Sequence, residues 1–457
     1  MKRRPSNGAA TGAESNDFSH SSALVDHRPR ADPLQGAPPV IGVTRKNAPT
    51  SSPARLAEAG RRAASASSIL RAVLEHGPVA RSTVARLTGL SPASVTGHSA
   101  ELARLGLIRD LPEQVQSNGV GRPHLPVDID TARYVAGAIH IAVAFSTVAL
   151  LDLRGRVLMS RRTPHEASSC PAEIVRRAGE CLLELLRDSN SGGSGGSGAT
   201  PIGVGVACGG WVDQDSGTVV EHPMLRWRDV PLRDLVRGCT GLPVRVDGHS
   251  RALLHGERLF GAARGVGSVL HLFIGNVADA AFAIDDTAHY GPRSQAGVIA
   301  HIPITDSAEQ CPCGRTGCFQ ASVSEHTLAR RAVECGITES PDFPLLLAAA
   351  RAGDEAAVGL LVERARLVGR GAALLIDVFN PELVVFTEQA IQVRPDALAA
   401  LRAEIAASAR TQIDVARSVV STSFPGDALA TAGGSVILDA FYRDPLALVP
   451  GPTGNPD

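Results

Sequence analysis

The chain has 457 residues, of which 44% are hydrophobic and 20% charged, so it is long enough for two to four domains. The 45 basic and 46 acidic residues nearly cancel, which excludes a polycation that binds nucleic acid through net charge alone. No apolar run reaches the ~18 residues of a membrane span, and the first residues lack the apolar segment of a secretory signal. We therefore predict a cytoplasmic protein with no membrane partner.

Charge and composition distinguish the amino-terminal part from the rest. Residues 1–65 carry ten Lys or Arg against five Asp or Glu, and residues 66–125 carry six against four. Residues 1–65 are rich in Ser, Pro, Ala and Gly and cannot bury enough apolar surface to offset the entropy of ordering, so we predict a disordered tail. A basic amino-terminal third on an acidic body is typical of a nucleic-acid-binding head on a larger protein.

Residues 66–130 predict a winged helix-turn-helix domain. Ser91-Pro92 provides a Ser N-cap with Pro in the first turn of a third helix, and Gly106 provides its C-cap. Short helices precede it, and a predicted hairpin follows it. The alternative, a small helical subdomain that only packs on the body, is disfavoured because the exposed start of the third helix carries small and hydrogen-bonding residues that suit a major groove. The predicted DNA-contacting residues are Arg81, Ser91, Ser94, Thr96, His98 and, in the wing, Arg122.

Residues 131–457 predict an α/β body. Strand-like segments such as Tyr134–Ile141 and Ser146–Leu153 precede a helix, and long Ala/Leu-rich helices fill the carboxy-terminal part. The Gly/Ser-rich segment 189–198 is interpreted as an expanded surface loop rather than a domain boundary. We predict two α/β lobes that meet at a ligand-binding cleft.

Three of the eight cysteines, Cys311, Cys313 and Cys318, lie within eight residues, whereas the other five are scattered. In a reducing compartment such a cluster indicates a metal site rather than a disulfide framework. The alternative is a redox-active thiol pair.

Several segments together resemble one family. They are His301 followed at a spacing of nine residues by CPCGRTGC (311–318), GVGVACGGWVDQDSGT (203–218), PMLRWRDVPLRDL (223–235), ERLFGAARG (257–265) and GRP (121–123). The chain resembles the ROK family of repressors, open reading frames and sugar kinases, in its winged-helix repressor branch with the xylose and N-acetylglucosamine repressors. The resemblance implies a winged helix-turn-helix followed by a two-lobed actin/hexokinase-like, ribonuclease H-like fold.

The resemblance adds His301 to the cysteine cluster. One imidazole and the thiolates of Cys311, Cys313 and Cys318 complete a tetrahedral shell that suits a structural zinc ion, and this disfavours the redox pair. In the family this His also contacts a sugar hydroxyl through its other ring nitrogen, so zinc would orient a ligand contact.

The phosphate-binding elements of family kinases are absent. An Asp-x-Gly-Gly-Thr turn is replaced by residues 139–144, IHIAVA, and a Gly-rich turn is replaced by residues 275–281, GNVADAA. A Gly-Gly pair on the nucleotide side becomes Thr387-Glu388. A cradle of backbone N–H groups needs glycine to form, so we predict that no ATP binds.

The sugar-contacting residues are changed as well. His249 stands where kinases carry the Asp base, and Val298 and Gln320 stand where they carry Glu. These losses leave two alternatives, a lobe that binds no ligand and serves as a dimerising scaffold, or a lobe with a changed, sugar-derived ligand. The predicted ligand-contacting residues are Gly209, Gly210, His249, His301 and Gln320.

The sequence therefore predicts a DNA-binding transcriptional regulator, a repressor of carbohydrate-related genes, with a non-catalytic effector lobe. The predicted partners are a double-stranded DNA operator, a sugar or sugar-derived effector, and further copies of the chain in a homodimer or higher homo-oligomer. The alternative function is an ATP-dependent sugar kinase fused to a DNA-binding head.

Overall fold

The computed structural model describes residues 53–112, 125–166, 169–191, 198–285, 287–304 and 308–449, with the backbone only for residues 53–59. Within these ranges, no helix combines the length and the apolar character that crossing a bilayer requires.

The amino-terminal head consists of three helices and a small sheet. Its elements are α1 (Pro53–His76), β1 (Val79–Ala80), α2 (Arg81–Thr88), α3 (Pro92–Leu105), β2 (Ile108–Asp110) and β3 (Pro126–Ile129). The three strands form one antiparallel sheet in the order β1-β3-β2. Helices followed by a β2-β3 hairpin make up the predicted winged arrangement, although the wing tip at residues 113–124 lies outside the described residues.

The first helix corrects the predicted extent of the disordered tail. We predicted disorder through residue 65, but α1 begins at Pro53, so the prediction is wrong for residues 53–65. This segment is rich in Ala and Arg, which have high helix propensity, although it has no periodic apolar residues. It is also held by packing, because Arg62 pairs with Glu101 of α3 and Ala66 is buried. Residues 1–52 lie outside the described residues.

The first lobe is built on a five-stranded sheet. Its elements are β4 (Tyr134–Ile141), β5 (Phe145–Leu151), β6 (Val157–Pro164), α4 (Pro171–Ser191), β7 (Thr200–Cys208), β8 (Trp211–Asp213), β9 (Thr218–His222), β10 (Trp227–Val230), α5 (Leu232–Thr240), β11 (Val244–Gly248) and α6 (His249–Phe260). The strand order is β11-β7-β4-β5-β6, and α4 and α5 cover one face of this sheet. Strands β8 to β10 form a separate small sheet.

The second lobe repeats this plan with more helices. Its elements are β12 (Val269–Ile274), β13 (Ala278–Ile284), β14 (Thr287–Ala288), α7 (Phe319–Val323), α8 (Glu325–Glu334), α9 (Phe343–Ala352), α10 (Glu355–Phe379), β15 (Leu383–Glu388), α11 (Gln389–Val393), α12 (Pro395–Ser408), α13 (Val415–Ser418) and β16 (Val419–Ser421). The strand order is β14-β13-β12-β15-β16.

The two large sheets share one topology. In each, the first three strands form antiparallel hairpins, and the fourth and fifth are added in parallel on the other side of the first. This order, repeated in both lobes, confirms the predicted two-lobed ribonuclease H-like fold. Helix α6 lies between the lobes, because Leu254 packs with the second sheet and Leu253 packs with the carboxy-terminal helix α14 (Ala428–Arg443).

The chain returns to the first lobe through α14 and the short α15 (Pro445–Leu448). A Cβ at Gly205 of β7 would collide with the backbone of Gly433, so glycine lets α14 lie directly on the sheet. One hydrophobic core then joins Ile69 and Leu102 of the head to Ile437 and Phe441 of α14.

Polar contacts strengthen the junction between the head and the first lobe. Ser67 Oγ donates to the Tyr442 carbonyl at 2.6 Å, and the Tyr134 hydroxyl donates to the Leu105 carbonyl at 2.8 Å. Arg154 of the β5-β6 turn pairs with Asp128 of β3. The head is therefore anchored to the first lobe by packing and by buried hydrogen bonds.

Candidate functional site

The start of α3 has the local structure that its sequence predicts. Ser91 Oγ accepts from the Ser94 N–H at 3.2 Å, Pro92 occupies the first turn, and Gly106 ends the helix in the left-handed region. Val95 and Leu102 face the core. The opposite face therefore stays in solvent, as recognition of a groove requires.

The predicted DNA-contacting residues occupy different environments. Thr96 is exposed, although its hydroxyl donates to the Pro92 carbonyl at 2.8 Å. His98 is half-buried near Glu101, with Nδ1 4.0 Å from a carboxylate oxygen. Arg81 donates to Asp110 at 2.7 Å, so a phosphate contact must compete with that ion pair. Arg122 lies outside the described residues.

The structure brings the four predicted metal ligands together. The ligand atoms of His301, Cys311, Cys313 and Cys318 all lie within 4.8 Å of one another. His301 Nδ1 is 3.4 Å from Cys311 Sγ, and the sulfurs of Cys313 and Cys318 are 3.7 Å apart. Tetrahedral coordination with bonds of about 2.3 Å places two sulfurs about 3.8 Å apart. The two printed pairs therefore match the spacing of a tetrahedral shell, and the cluster could hold a metal ion.

Tight turns in the loop place these ligands. Gly314 and Gly317 both have positive φ, and the Gly314 N–H donates to the Cys311 carbonyl at 2.9 Å. Short bridges between Gln310 and Thr316 and between Pro303 and Cys318 close the loop. The side chains thus converge because the backbone folds back twice within eight residues.

A cavity of about 400 Å³ lies between the lobes. The turn after β4 supplies an apolar wall in which Ile141 is buried and Val143 and Phe145 are half-buried. The ends of β12 and β15 supply the opposite wall, with Phe273 and Thr387. The cavity therefore occupies the predicted interlobe cleft.

Both turns that replace the kinase phosphate turns use backbone donors internally. The Ala142 N–H donates to the Phe145 carbonyl, and the Gly275 N–H donates to the Val277 carbonyl, each at 3.0 Å. The Ala278 N–H donates to Gln320 Oε1 at 3.2 Å. These three N–H groups are therefore not available to a phosphate.

A buried ion pair stands at the Thr387-Glu388 position. Arg364 and Glu388 are 1% and 2% exposed and contact each other directly. Arg364 also donates to the Val323 carbonyl, and Glu388 accepts from the Ala390 and Ile391 N–H groups of α11. The Glu388 carboxylate is therefore fixed and charge-balanced at the cavity wall.

Histidines line the first-lobe side of the cavity. His249 Nε2 lies 2.8 Å from Asp279 Oδ2, which joins α6 to the second sheet. His140 stacks on His249 with ring centroids 5.8 Å apart. Burial, with a smaller contribution from the nearby His249, lowers the pKa of His140 to about 3 and that of His222 to about 4. His140 and His222 are therefore neutral at physiological pH.

The predicted ligand-contacting residues are divided among three places. Gly209 and His249 line the interlobe cavity, whereas Gly210 and His249 line a neighbouring cavity of about 20 Å³ that has room for one water molecule. His301 belongs to the metal cluster. Gln320 joins the two regions, because its backbone N–H donates to Ala300 beside His301 and its side chain accepts from Ala278 beside Asp279.

Sequence reasoning predicted His249 but missed the other two histidines of the cavity. His140 is the penultimate residue of β4, and His222 is the last residue of β9. Polar residues at the carboxyl ends of strands are a signal for ligand sites in α/β sheets. The pairing of Asp279 with His249 has no sequence signal, because the two residues lie on different elements.

The comparisons with known proteins agree on one family. A model described as the ROK family matches residues 137–440. The chain is 31% identical over 395 residues to the transcriptional regulator Rv0485 of Mycobacterium tuberculosis H37Rv, covering 83% of this chain and 86% of that protein. It is 23% identical over 373 residues to the xylose repressor of Bacillus subtilis 168, covering 82% of this chain and 94% of that protein.

One solved structure extends the similarity to the fold of nearly the whole chain. It is a ROK family transcriptional regulator described as a homologue of the E. coli MLC protein. It superposes with a TM-score of 0.69 at 21% identity, covering 84% of this chain and 97% of that one.

Proposed function

Because the chain belongs to the ROK family, we propose that it is a DNA-binding transcriptional repressor of carbohydrate-related genes whose lobes sense an effector. The observation that carries the proposal is the exposed, capped start of α3 on a head that shares its core with the first lobe. A ligand that changes the angle between the lobes would thereby change the position of the head. The names of the relatives, a transcriptional regulator and a xylose repressor, support the same function.

On DNA, α3 enters the major groove with Ser91, Ser94, Thr96 and His98 near the bases. Arg81 releases Asp110 to contact a phosphate, and Arg122 of the wing contacts the backbone or the minor groove. The protein acts as a homodimer or higher homo-oligomer, so its operator is a palindrome with half-sites a whole number of turns apart.

The metal in this proposal is a structural zinc ion. Three thiolates and one imidazole suit zinc, and four protein ligands leave no open position for a substrate. The distances between the ligand atoms support this choice. When bound, zinc would hold His301 and fix the loop that leads to Gln320.

The lobes in this proposal do not catalyse phosphoryl transfer and do not bind ATP. Catalysis of that reaction rests on positioning and on electrostatic stabilisation of the phosphates. Here one backbone donor of each turn is already bonded within its turn, and Gly275 is the one glycine that these two turns retain. Among the predicted ligand-contacting residues, Gly209 and His249 line the larger cavity, whereas the cavity at Gly210 holds only about 20 Å³, so an effector needs the larger cavity.

Footprinting on the promoter region of the protein's own gene tests DNA binding. We expect the wild type to protect a palindromic site. Thr96→Ala should lose this protection while it binds unrelated DNA as the wild type does. Arg122→Ala should weaken binding to all sequences and lower the salt slope by about one unit. The matched control is Arg366→Ala, an exposed position on α10 far from the head in the sequence. Equal protection of all DNA by the wild type and by Thr96→Ala would contradict sequence-specific recognition.

A further inference from the structure

The interlobe cavity has the volume of a small-molecule site and one apolar wall. About 400 Å³ is within the range of ligand pockets. Ile141, Val143 and Leu429 belong to the apolar part of the lining, and the second lobe adds polar side chains such as Asn276 and Gln392. Hydroxyl groups of a hexose placed against the apolar side chains would lose hydrogen bonds to water without replacement. The part of a ligand that contacts this wall is therefore apolar.

The first-lobe end of the cavity offers unused hydrogen-bond donors. His140 is 2% exposed, and neither of its ring nitrogens has a hydrogen-bond partner among the described residues. A buried neutral imidazole without a partner is costly, and a ligand would remove that cost. His222 Nδ1 accepts from the Leu225 N–H at 3.3 Å, so its proton is on Nε2, which lies beside Gly209 at the cavity. Each of these two histidines can donate one hydrogen bond to an acceptor.

Exposed cations on both sides of the cavity favour an anionic ligand. Arg162 of β6 lies at the cavity with its guanidinium 4.8 Å from the Phe145 ring centroid. Arg351 of α9 adds an exposed cation on the second-lobe side.

The carboxylates near the cavity already have partners. Glu388 pairs with Arg364, Asp279 lies 2.8 Å from His249, and Glu325 accepts from the Gln389 side chain at 2.8 Å. They therefore do not exclude an acid head that binds beside Arg162 on the first-lobe side.

We propose that this cavity binds a small organic acid with an apolar body, whose carboxylate accepts hydrogen bonds from His140 and His222 while Arg162 contacts it at the entrance. The inference rests on the proposed function only for its consequence, namely that this acid is the effector that changes DNA binding. It assigns the effector to a site distinct from the small cavity at Gly210.

A fluorescence titration of the metal-loaded full chain tests the proposal. The probe is anilinonaphthalene sulfonate, an anion with an aromatic body, and the competitors are sodium phenylbutyrate and xylose. We expect saturable binding at one site, displacement by phenylbutyrate and no displacement by xylose. Displacement by xylose alone, or binding that does not saturate, would overturn the proposal.

Matched variants locate the probe. Arg162→Gln should weaken binding about fivefold, the effect of one charge-assisted contact at an exposed position. Arg161→Gln should leave binding unchanged, because the Arg161 guanidinium pairs with Glu184 and Asp188. Val143→Glu places a charge on a half-exposed turn without disturbing the core, and it should abolish binding. Equal affinities in all three variants would overturn the assignment to this cavity.

The titration contains no DNA, so its failure is distinguishable from failure of the proposed function. If phenylbutyrate does not bind but footprinting succeeds, the inference is wrong and the regulator remains. If the acid binds and footprinting fails, the proposed function is wrong and the cavity remains a binding site.

Discussion

The loop that carries the His301, Cys311, Cys313 and Cys318 cluster and the interlobe cavity differ in how strictly their residues are constrained. The loop keeps all four ligand atoms within 4.8 Å of one another, and its turns depend on glycines at fixed positions. The cavity keeps its place between two sheets of the same topology, while its turns and wall contain an ion pair and histidines that a nucleotide site does not need. A coordination shell needs every ligand, since the loss of one opens it. A cleft needs only the packing of its two lobes, so its lining can change and the kind of ligand with it.

The largest effect is expected at the loop. Cys313→Ser should reduce bound metal from about one ion per chain to none, because three ligands no longer close a tetrahedral shell. Metal analysis of freshly reduced protein measures this. The control is Cys335→Ser, which removes an exposed thiol outside the cluster and should retain the metal. Wild-type protein without metal would contradict the structural zinc site.

A smaller but still large loss of stability is expected at the cavity wall. Arg364→Met should lower the free energy of unfolding by about 3–5 kcal/mol, because it leaves the Glu388 carboxylate buried without a counter-charge. Urea unfolding measures the change. Adding Glu388→Gln should restore part of it, and Arg366→Met, at an exposed position, should stay within about 0.5 kcal/mol of the wild type. An unchanged Arg364→Met would show that the ion pair does not hold this wall.

A pH dependence should follow from the buried histidines. Burial lowers the pKa of His140 and His271 to about 3 and that of His222 to about 4, against 6.5 for an ordinary histidine. At a pH between the lowered pKa values and 6.5, the unfolded chain binds more protons than the folded chain. Stability is therefore full above pH 6.5 and falls as the pH is lowered toward 4, by up to about 1.4 kcal/mol per pH unit for each histidine.

Thermal unfolding at pH 7.5 and pH 5 measures this dependence. His140→Leu should reduce the difference between the two midpoints, whereas His76→Gln, at an exposed position of α1, should leave it unchanged. An equal difference between the two midpoints in the wild type and in His140→Leu would mean that His140 is protonated in the folded state at pH 5.

For ATP we expect no effect at all. Calorimetry with ATP and Mg²⁺ should show no binding in the low-millimolar range, and His249→Asp should not create sugar-dependent turnover, because a base alone cannot position a phosphoryl group. Nicotinamide dinucleotide serves as an unrelated nucleotide control. Heat specific to ATP, or release of ADP with any sugar, would favour the alternative kinase function. The cavity would then bind a nucleotide despite its different lining.

The predictions that succeeded from sequence concern local signals. The Ser91 cap, Pro92 and Gly106 bound α3 because capping is decided by a few adjacent residues. The metal cluster follows from a short motif plus one histidine. The start of α1 was missed because its first half has helix-forming residues without apolar periodicity, and only contact with α3 shows that it is ordered.

The cavity lining could not be predicted in the same way. His140, His222, His249 and Asp279 lie on four elements that are distant in the chain, and only the pairing of the strands and the placement of α6 bring them together. A residue that is chemically unremarkable in sequence, such as Glu388, acquires its role from Arg364 on another element. Such partners depend on tertiary packing, for which the sequence carries no local signal.

The shared core of the head and α14 has a consequence for how this chain evolves and can be engineered. Ser67 bonds to the backbone at Tyr442, and Ile69 shares its core with Phe441, so the two ends of the described chain meet in one packing unit. Substitutions in the first helix and in the carboxy-terminal helix must therefore be compensated by each other. A hybrid that joins this head to another body would need to carry α14 with it, and a truncation after residue 430 would destabilise the DNA-binding end of the chain.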